Sequence, residues 1–247
     1  MSWTQIEGSA YWILFAGGFL GTACWESLRP KGELSAGPLS RRWGNHALLH
    51  LACSLISMGL LRVSPLVMAL AVANSRFGLL NKTWLPMAGR WVLAILLLDL
   101  LKYGIHKAFH SVPILWRVHQ VHHSDPDFDV STALRVHPLE MILTQGPYLA
   151  AIVILAPPPA AVLAAELLSI FESFVGHANA SFPAWVEKSL LAVFVTPDMH
   201  RVHHSEEVSE QTGNLGDVFP WWDRLFGTYR EDMPRKAVST FTNLKHA

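Results

Sequence analysis

The chain has 247 residues, 51% hydrophobic and only 15% charged, with ten tryptophans and a mean hydropathy of +0.28. That length allows one domain, at most two, and the composition is too apolar for an ordinary soluble enzyme. Formal net charge is zero and no basic run is present, which disfavours nucleic acid as a partner.

The tryptophans suit rings at a membrane–water interface. Cys24 and Cys53 stand in apolar stretches without CxxC spacing and read as buried small residues, not as ligands or a disulfide. The opening MSWTQIEGSA lacks a basic region, so no cleaved signal peptide is expected.

Five apolar segments follow in chain order. The first runs from Ser9 to Trp25, where Gly17, Gly18 and Gly21 favour close helix packing. The second, Leu48 to Ala73, is interrupted by Arg62 and Pro65. The third, Trp91 to about Tyr103, belongs to a helix beginning near Pro86. The fourth and fifth, Leu139 to Ala156 and Ala160 to Gly176, are separated by the breaker Pro157–Pro158–Pro159. A crossing takes about 20 residues, so the first and third are short and need tilt or amphipathic extensions. These segments predict an all-α membrane bundle of four to five helices, one membrane domain over 1–247.

Charge orients the bundle. With the first segment running inward, the second outward, the third inward, and the last two forming a hairpin, Arg76, Lys82 and Arg90 lie outside. Arg62 falls within the second segment, and all the other Lys and Arg of the nineteen lie inside. The consequence is chemical, because most of the thirteen histidines then share the cytoplasmic face.

Those histidines form three clusters: His106 and His110 in HKAFH, His119, His122 and His123 in HQVHH, and His200, His203 and His204 in HRVHH. Spacings of three and four put imidazoles on one helical face. His137 and His177 flank the last hairpin. Upstream of the first cluster, Asp99 and Tyr103 continue the same face. A carboxylate there needs a partner, either a ligating imidazole N–H or a nearby Lys or Arg. The second cluster predicts a helix restarted after Pro113, and the third a helix starting near Pro197 or Asp198.

A lone histidine is more often a hydrogen-bonded core residue, and His46, His50 and His246 are read that way. Two HxxHH clusters with an HxxxH on one face are not, since so many imidazoles without metal would make an expensive polar core. Imidazole suits zinc, copper, iron and nickel alike, but the set exceeds one four-ligand structural zinc. Two ions with open positions fit better. Adjacent histidines are too crowded to serve as axial ligands of a haem pair.

The ordered blocks LWRVHQVHHSD, ALRVHPLE, GHANAS, TPDMHRVHHSE and NLGDVFPWWDRLFGTY resemble the fatty acid hydroxylase superfamily, which includes sterol desaturases. The resemblance covers roughly residues 92 to 230. It implies a four-helix membrane core with a cytosolic helical cap holding a non-haem di-iron centre. It further implies O2-dependent hydroxylation or desaturation of a lipid C–H bond.

On that resemblance the metal ligands are His106, His110, His119, His122, His123, His200, His203 and His204, with His137 and His177 as additional candidates. Asp99, Tyr103, Asn179, Asp198 and Asn214 would support the ligands, and Asp217 and Asp223 match further polar positions of the family. Glu166 and Glu172 either line a lipid tunnel or satisfy neighbouring helices. No haem-binding electron-transfer domain is appended, so a cytochrome b5- or ferredoxin-like donor is expected. Length and the lack of a retrieval-like tail favour a bacterial inner membrane over the endoplasmic reticulum.

Two competing readings stay open at the level of sequence. A zinc-dependent lipid hydrolase or isomerase would use Glu140 as its base, and zinc can also substitute for iron. A metal transporter would place its ligands near the bilayer midplane, not beyond the helix ends.

Overall fold

The computed structural model describes residues 3–34, 44, 46–53 and 65–231. Among these it is helical throughout, with no strand. Helix α1 spans Trp3–Leu28, and a helical stretch follows at 46–53. Then come α2 (Pro65–Val72), α3 (Met87–Ser111), α4 (Pro113–His123), α5 (Pro138–Leu155) and α6 (Pro159–Gly176). Four short helices complete the order: α7 (Ala184–Leu190), α8 (Pro197–His203), α9 (Val208–Gln211) and α10 (Trp221–Phe226). Single 3-10 turns lie at Leu80–Lys82 and Val130–Leu134.

Proline sets several of these starts. Pro113, Pro138, Pro159 and Pro197 sit in the first turn of their helices, where the missing N–H costs nothing and φ is already helical. Ala156 ends α5 in a left-handed conformation (φ 46°), and the proline run turns the chain into α6. The fourth and fifth apolar segments are thus a helical hairpin, and each helix is long and apolar enough to cross a bilayer. The middle of the second segment, residues 54–64 with Arg62, lies outside the described residues, as does His246.

Helix α6 is the central post. It packs against α1, α2, α3, α8 and the turn at 130–134. One cluster buries Ala69, Leu98, Tyr148, Ile152, Val162 and Ala165 between α2, α3, α5 and α6. A second joins Ala23, Val130, Leu134 and Phe174 nearer the histidine end. Outward faces stay apolar, with Ile13, Leu20, Val92, Ile154 and Phe171 exposed. Trp12, Trp84 and Trp185 are also exposed. In water such a surface would drive association, whereas against acyl chains it has no such cost. Cys53 is buried with its thiol directed at the Val136 carbonyl, but Cys24 is exposed on α1, unlike the sequence expectation.

Candidate metal centre

Helix α3 carries His106 and His110 one turn apart, past the apolar stretch that ends near Tyr103. Val112 breaks the helix in an extended conformation, and α4 folds back against α3 with His119, His122 and His123 buried. Helix α8, capped by the Thr196 side chain accepting from the Met199 N–H, brings in His200 and His203, with His204 at its end. His177 caps the end of α6.

These nine imidazoles converge into two groups. His106, His110, His119, His123 and His203 form one, and His122, His177, His200 and His204 the other. Within each group every ligating nitrogen lies within 4.8 Å of the others. Helical geometry explains the sharing. Each HxxHH gives its first and last histidine, one turn apart, to one group, and its middle histidine, rotated off that face, to the other. The α4 motif gives its pair to the first group and the α8 motif gives its pair to the second. The groups abut through His123 and His204, whose rings stack with centroids 4.3 Å apart.

Hydrogen bonds fix the tautomers. His106 Nδ1 meets the Leu215 carbonyl at 3.0 Å, His203 Nδ1 the Gly213 carbonyl at 2.9 Å, and His177 Nδ1 the Ser173 carbonyl at 2.6 Å. His122 Nδ1 meets the Arg135 carbonyl at 3.3 Å, and His119 Nδ1 the Glu140 carboxylate at 2.8 Å. Carbonyls and carboxylates accept, so in these rings Nδ1 carries the proton and Nε2 the lone pair.

The lone pairs then have no donor to meet. Nε2 of His106, His110, His119, His123, His203 and His204 is buried without a hydrogen-bond partner. In the second group His177 Nε2 faces His122 Nε2 at 3.1 Å and His200 Nε2 at 3.0 Å. Two lone pairs at that distance repel unless a cation lies between them. Metal–imidazole bonds of about 2.1 Å put neighbouring ligands at right angles about 3 Å apart. The donor set therefore fits a metal ion in each group.

Burial, reinforced by neighbouring imidazoles, holds His122, His123, His200, His203 and His204 well below the usual histidine pKa. All five are neutral at physiological pH, the form that binds metal.

The remaining candidates sit around this core. Asp99 accepts from the Val218 N–H at 3.0 Å and the Trp222 indole N–H at 2.6 Å. It therefore braces the 214–223 loop and bonds neither an imidazole nor a lysine, as the sequence had suggested. Tyr103 pairs with the Thr228 hydroxyl at 2.9 Å, and Asp223 accepts from Leu215 N–H, Gly216 N–H and Thr228. Asn214, with a left-handed backbone at φ 54°, bonds the Met199 and Arg230 carbonyls and the Arg230 N–H. This loop and Gly213 just before it hold the carbonyls that orient His106 and His203. A Cβ at Gly216 would come within 2.8 Å of the Phe219 carbonyl, so only glycine fits there.

Asn179 ties the end of α6 to Gly32, while Asp198 bonds Lys31 and Ser181. His137 lies outside both groups, its Nδ1 accepting from the Leu139 N–H as the cap of α5. His46 is a buried bonded histidine, 2.7 Å from Ser131 Oγ and 3.1 Å from an Asp125 oxygen. Two acids named in the sequence analysis also stand beside the histidines. Glu140, held there as a base for hydrolysis, is engaged with His119. Glu172 lines a cavity of about 230 Å³ beside the histidines, bounded also by Lys102, Phe109, Val136 and Asp217; Glu166 is not among its lining residues.

A sequence model of the family described as fatty acid hydroxylase matches residues 91–228. The alkylglycerol monooxygenase of Danio rerio is 28% identical over 200 residues, covering 75% of this chain and 42% of that protein. The human alkylglycerol monooxygenase is 29% identical over 163 residues, covering 63% of this chain and 34% of its own length. The ornithine lipid hydroxylase OlsE of Rhizobium tropici is 28% identical over 155 residues, 63% of this chain and 45% of that one. The chain thus matches less than half the length of these relatives. No solved structure matches it.

Proposed function

The chain belongs to the fatty acid hydroxylase family, and on that premise we propose that it is a membrane oxidoreductase that hydroxylates or desaturates a lipid C–H bond with O2. Iron held by the two histidine groups supplies the O2 activation and oxidising power when bound, and zinc can substitute for it in the same ligands. The observation that carries this reading is the convergence of buried, unpartnered imidazole nitrogens into two adjacent groups. Two neighbouring ions match a reaction that needs several electrons gathered at one place.

The chain's own residues hold and shield. Carbonyls of Ser173, Arg135, Gly213 and Leu215 and the carboxylate of Glu140 aim the imidazoles before any metal arrives. Phe109, Ala133, Val136 and Val195 wall the cavity with apolar surface and limit water beside the reacting carbon. Hydroxylation consumes O2, two electrons and two protons and releases one water. Desaturation uses the same inputs and releases two waters. In both cases the electrons come from a separate cytochrome b5- or ferredoxin-like protein.

In this reading α1, the second apolar segment and α3 cross the bilayer with the α5–α6 hairpin, and α4, α8 and the 214–229 loop form a cytosolic cap. The whole of 1–247 is one membrane domain, with residues 92–230 carrying the chemistry. The inward bias of Lys and Arg supports a cytoplasmic site, and a bacterial inner membrane suits it. O2 uptake by iron-loaded protein in bilayer nanodiscs, with a chemical reductant and a lipid panel, tests the function. Lipid-dependent uptake with an oxidised lipid product is expected. Lipid hydrolysis without O2 consumption would replace the oxidase with a hydrolase.

A further inference from the structure

The cavity beside the histidines is polar in an unbalanced way. Four of its lining side chains are ionisable: Lys102, Glu140, Glu172 and Asp217. Lys102 is already engaged, donating to the Ser169 hydroxyl and pairing with Asp217 at 3.3 Å. One oxygen of Glu140 accepts from His119. Three carboxylate oxygens, Glu140 Oε2, Glu172 Oε1 and Asp217 Oδ2, are buried without a hydrogen-bond partner; the last is held in the ion pair with Lys102, which leaves Glu140 Oε2 and Glu172 Oε1.

Glu172 is the better placed of the two to meet a ligand. It is 6% exposed, on the last full turn of α6. Gly176, one turn on, keeps the space before it open: a Cβ there would lie 3.7 Å from Glu172 Oε1 and 3.8 Å from the His200 ring. Glu172 is absent from both groups of converging ligands, so its carboxyl is spare. A buried acceptor without a donor costs free energy, and a ligand that brings the donor recovers it.

We propose that Glu172 anchors the lipid headgroup. Its Oε1 accepts a hydrogen bond from a hydroxyl or amino group of the substrate, a residue role that deepens and rests on the lipid-oxidase reading. The same lining selects against phosphate and carboxylate headgroups. They would meet carboxylate oxygens and a lysine already neutralised by Asp217. Glu172 is thus a specificity-determining residue, distinct from the metal ligands.

The test uses the full chain, iron-loaded, in nanodiscs, as wild type, Glu172→Gln and Glu172→Leu. Four probes with one acyl chain are titrated: a glycerol monoester, its di-O-methyl ether, a long-chain primary amine and a lysophosphatidate. Metal content and lipid-dependent O2 uptake are measured alongside Kd. Wild type is expected to bind the hydroxyl or the amino probe about tenfold tighter than the ether and the lysophosphatidate. Which of the two is preferred identifies the headgroup donor.

In Glu172→Leu the preference vanishes. In Glu172→Gln, which keeps one acceptor oxygen but replaces the other with a donor, the preference for either probe falls about threefold. Both variants keep their metal. If Glu172→Leu does not fold, the Gln variant decides alone. Binding of neither the hydroxyl nor the amino probe more tightly than the ether by wild type, a preference that survives Glu172→Leu, or metal loss in Glu172→Gln each overturns the anchor. Lipid-dependent O2 uptake without headgroup preference sinks the anchor alone. Absence of both binding and uptake sinks the oxidase reading with it.

Discussion

Replacing Glu140 isolates the contribution of a residue that touches no metal yet sets a ligand. Its carboxylate receives the His119 Nδ1 proton at 2.8 Å, with the two side chains only 13% and 5% exposed. A hydrogen bond to a charged acceptor in such surroundings contributes about 1.5–3 kcal/mol. Partners of metal-bound imidazoles typically change metal affinity by about 10–100-fold, or roughly 1.4–2.7 kcal/mol, so the two estimates agree. Glu140→Gln keeps an accepting oxygen and is expected to weaken metal binding by about tenfold, with Glu140→Ala nearer a hundredfold. Competition against a chelator of known affinity, followed by metal analysis of the protein fraction, reads this directly. The loss should fall on one ion, because His119 belongs to the first group only. Unchanged affinity in Glu140→Ala, or equal loss of both ions, would refute the reasoning.

Other consequences follow from the same geometry. Asp223→Ala removes a fully buried acceptor of three hydrogen bonds and is expected to cost about 3–5 kcal/mol in stability; a loss under about 1 kcal/mol by thermal unfolding would contradict it. His137→Ala is expected to leave metal content intact and cost only about 0.5 kcal/mol through the lost helix cap, whereas metal loss would make His137 a ligand. The pH dependence has a definite sign. Five buried imidazoles have folded pKa values well below the unfolded value, so the unfolded chain takes up their protons first as pH falls. Their contribution is complete above about pH 6.5 and is lost progressively below it, with metal released alongside. Stability that rises on acidification from pH 7 to 5 would count against neutral ligands.

How much was legible in the sequence depends on which atoms matter. The histidine faces were readable because spacings of three and four have one meaning on a helix. The division into two groups was also latent there, since neighbouring residues on a helix cannot share a face. The breakers before α4 and α6 were readable for a similar reason, as Pro113 and the run at 157–159 act locally.

The partners of the imidazoles were not. Four of the five are backbone carbonyls, which every residue owns, and only the fold decides that those of Ser173, Arg135, Gly213 and Leu215 point inward. Asp99 shows the same limit. Its place on the histidine face suggested an imidazole partner, but its oxygens go to Val218 and Trp222, more than a hundred residues away. It steadies the loop that bonds His106, a relation no local pattern records.

The central claim is that the two histidine groups hold two irons. Metal analysis of protein purified after iron supply, for wild type and His122→Ala, tests it most directly. The account predicts roughly two irons per chain in the wild type and a sharp fall in the variant, which loses a ligand of the second group. Zinc retained under iron supply, with one iron or none per chain, would contradict it and return the hydrolytic reading to the front.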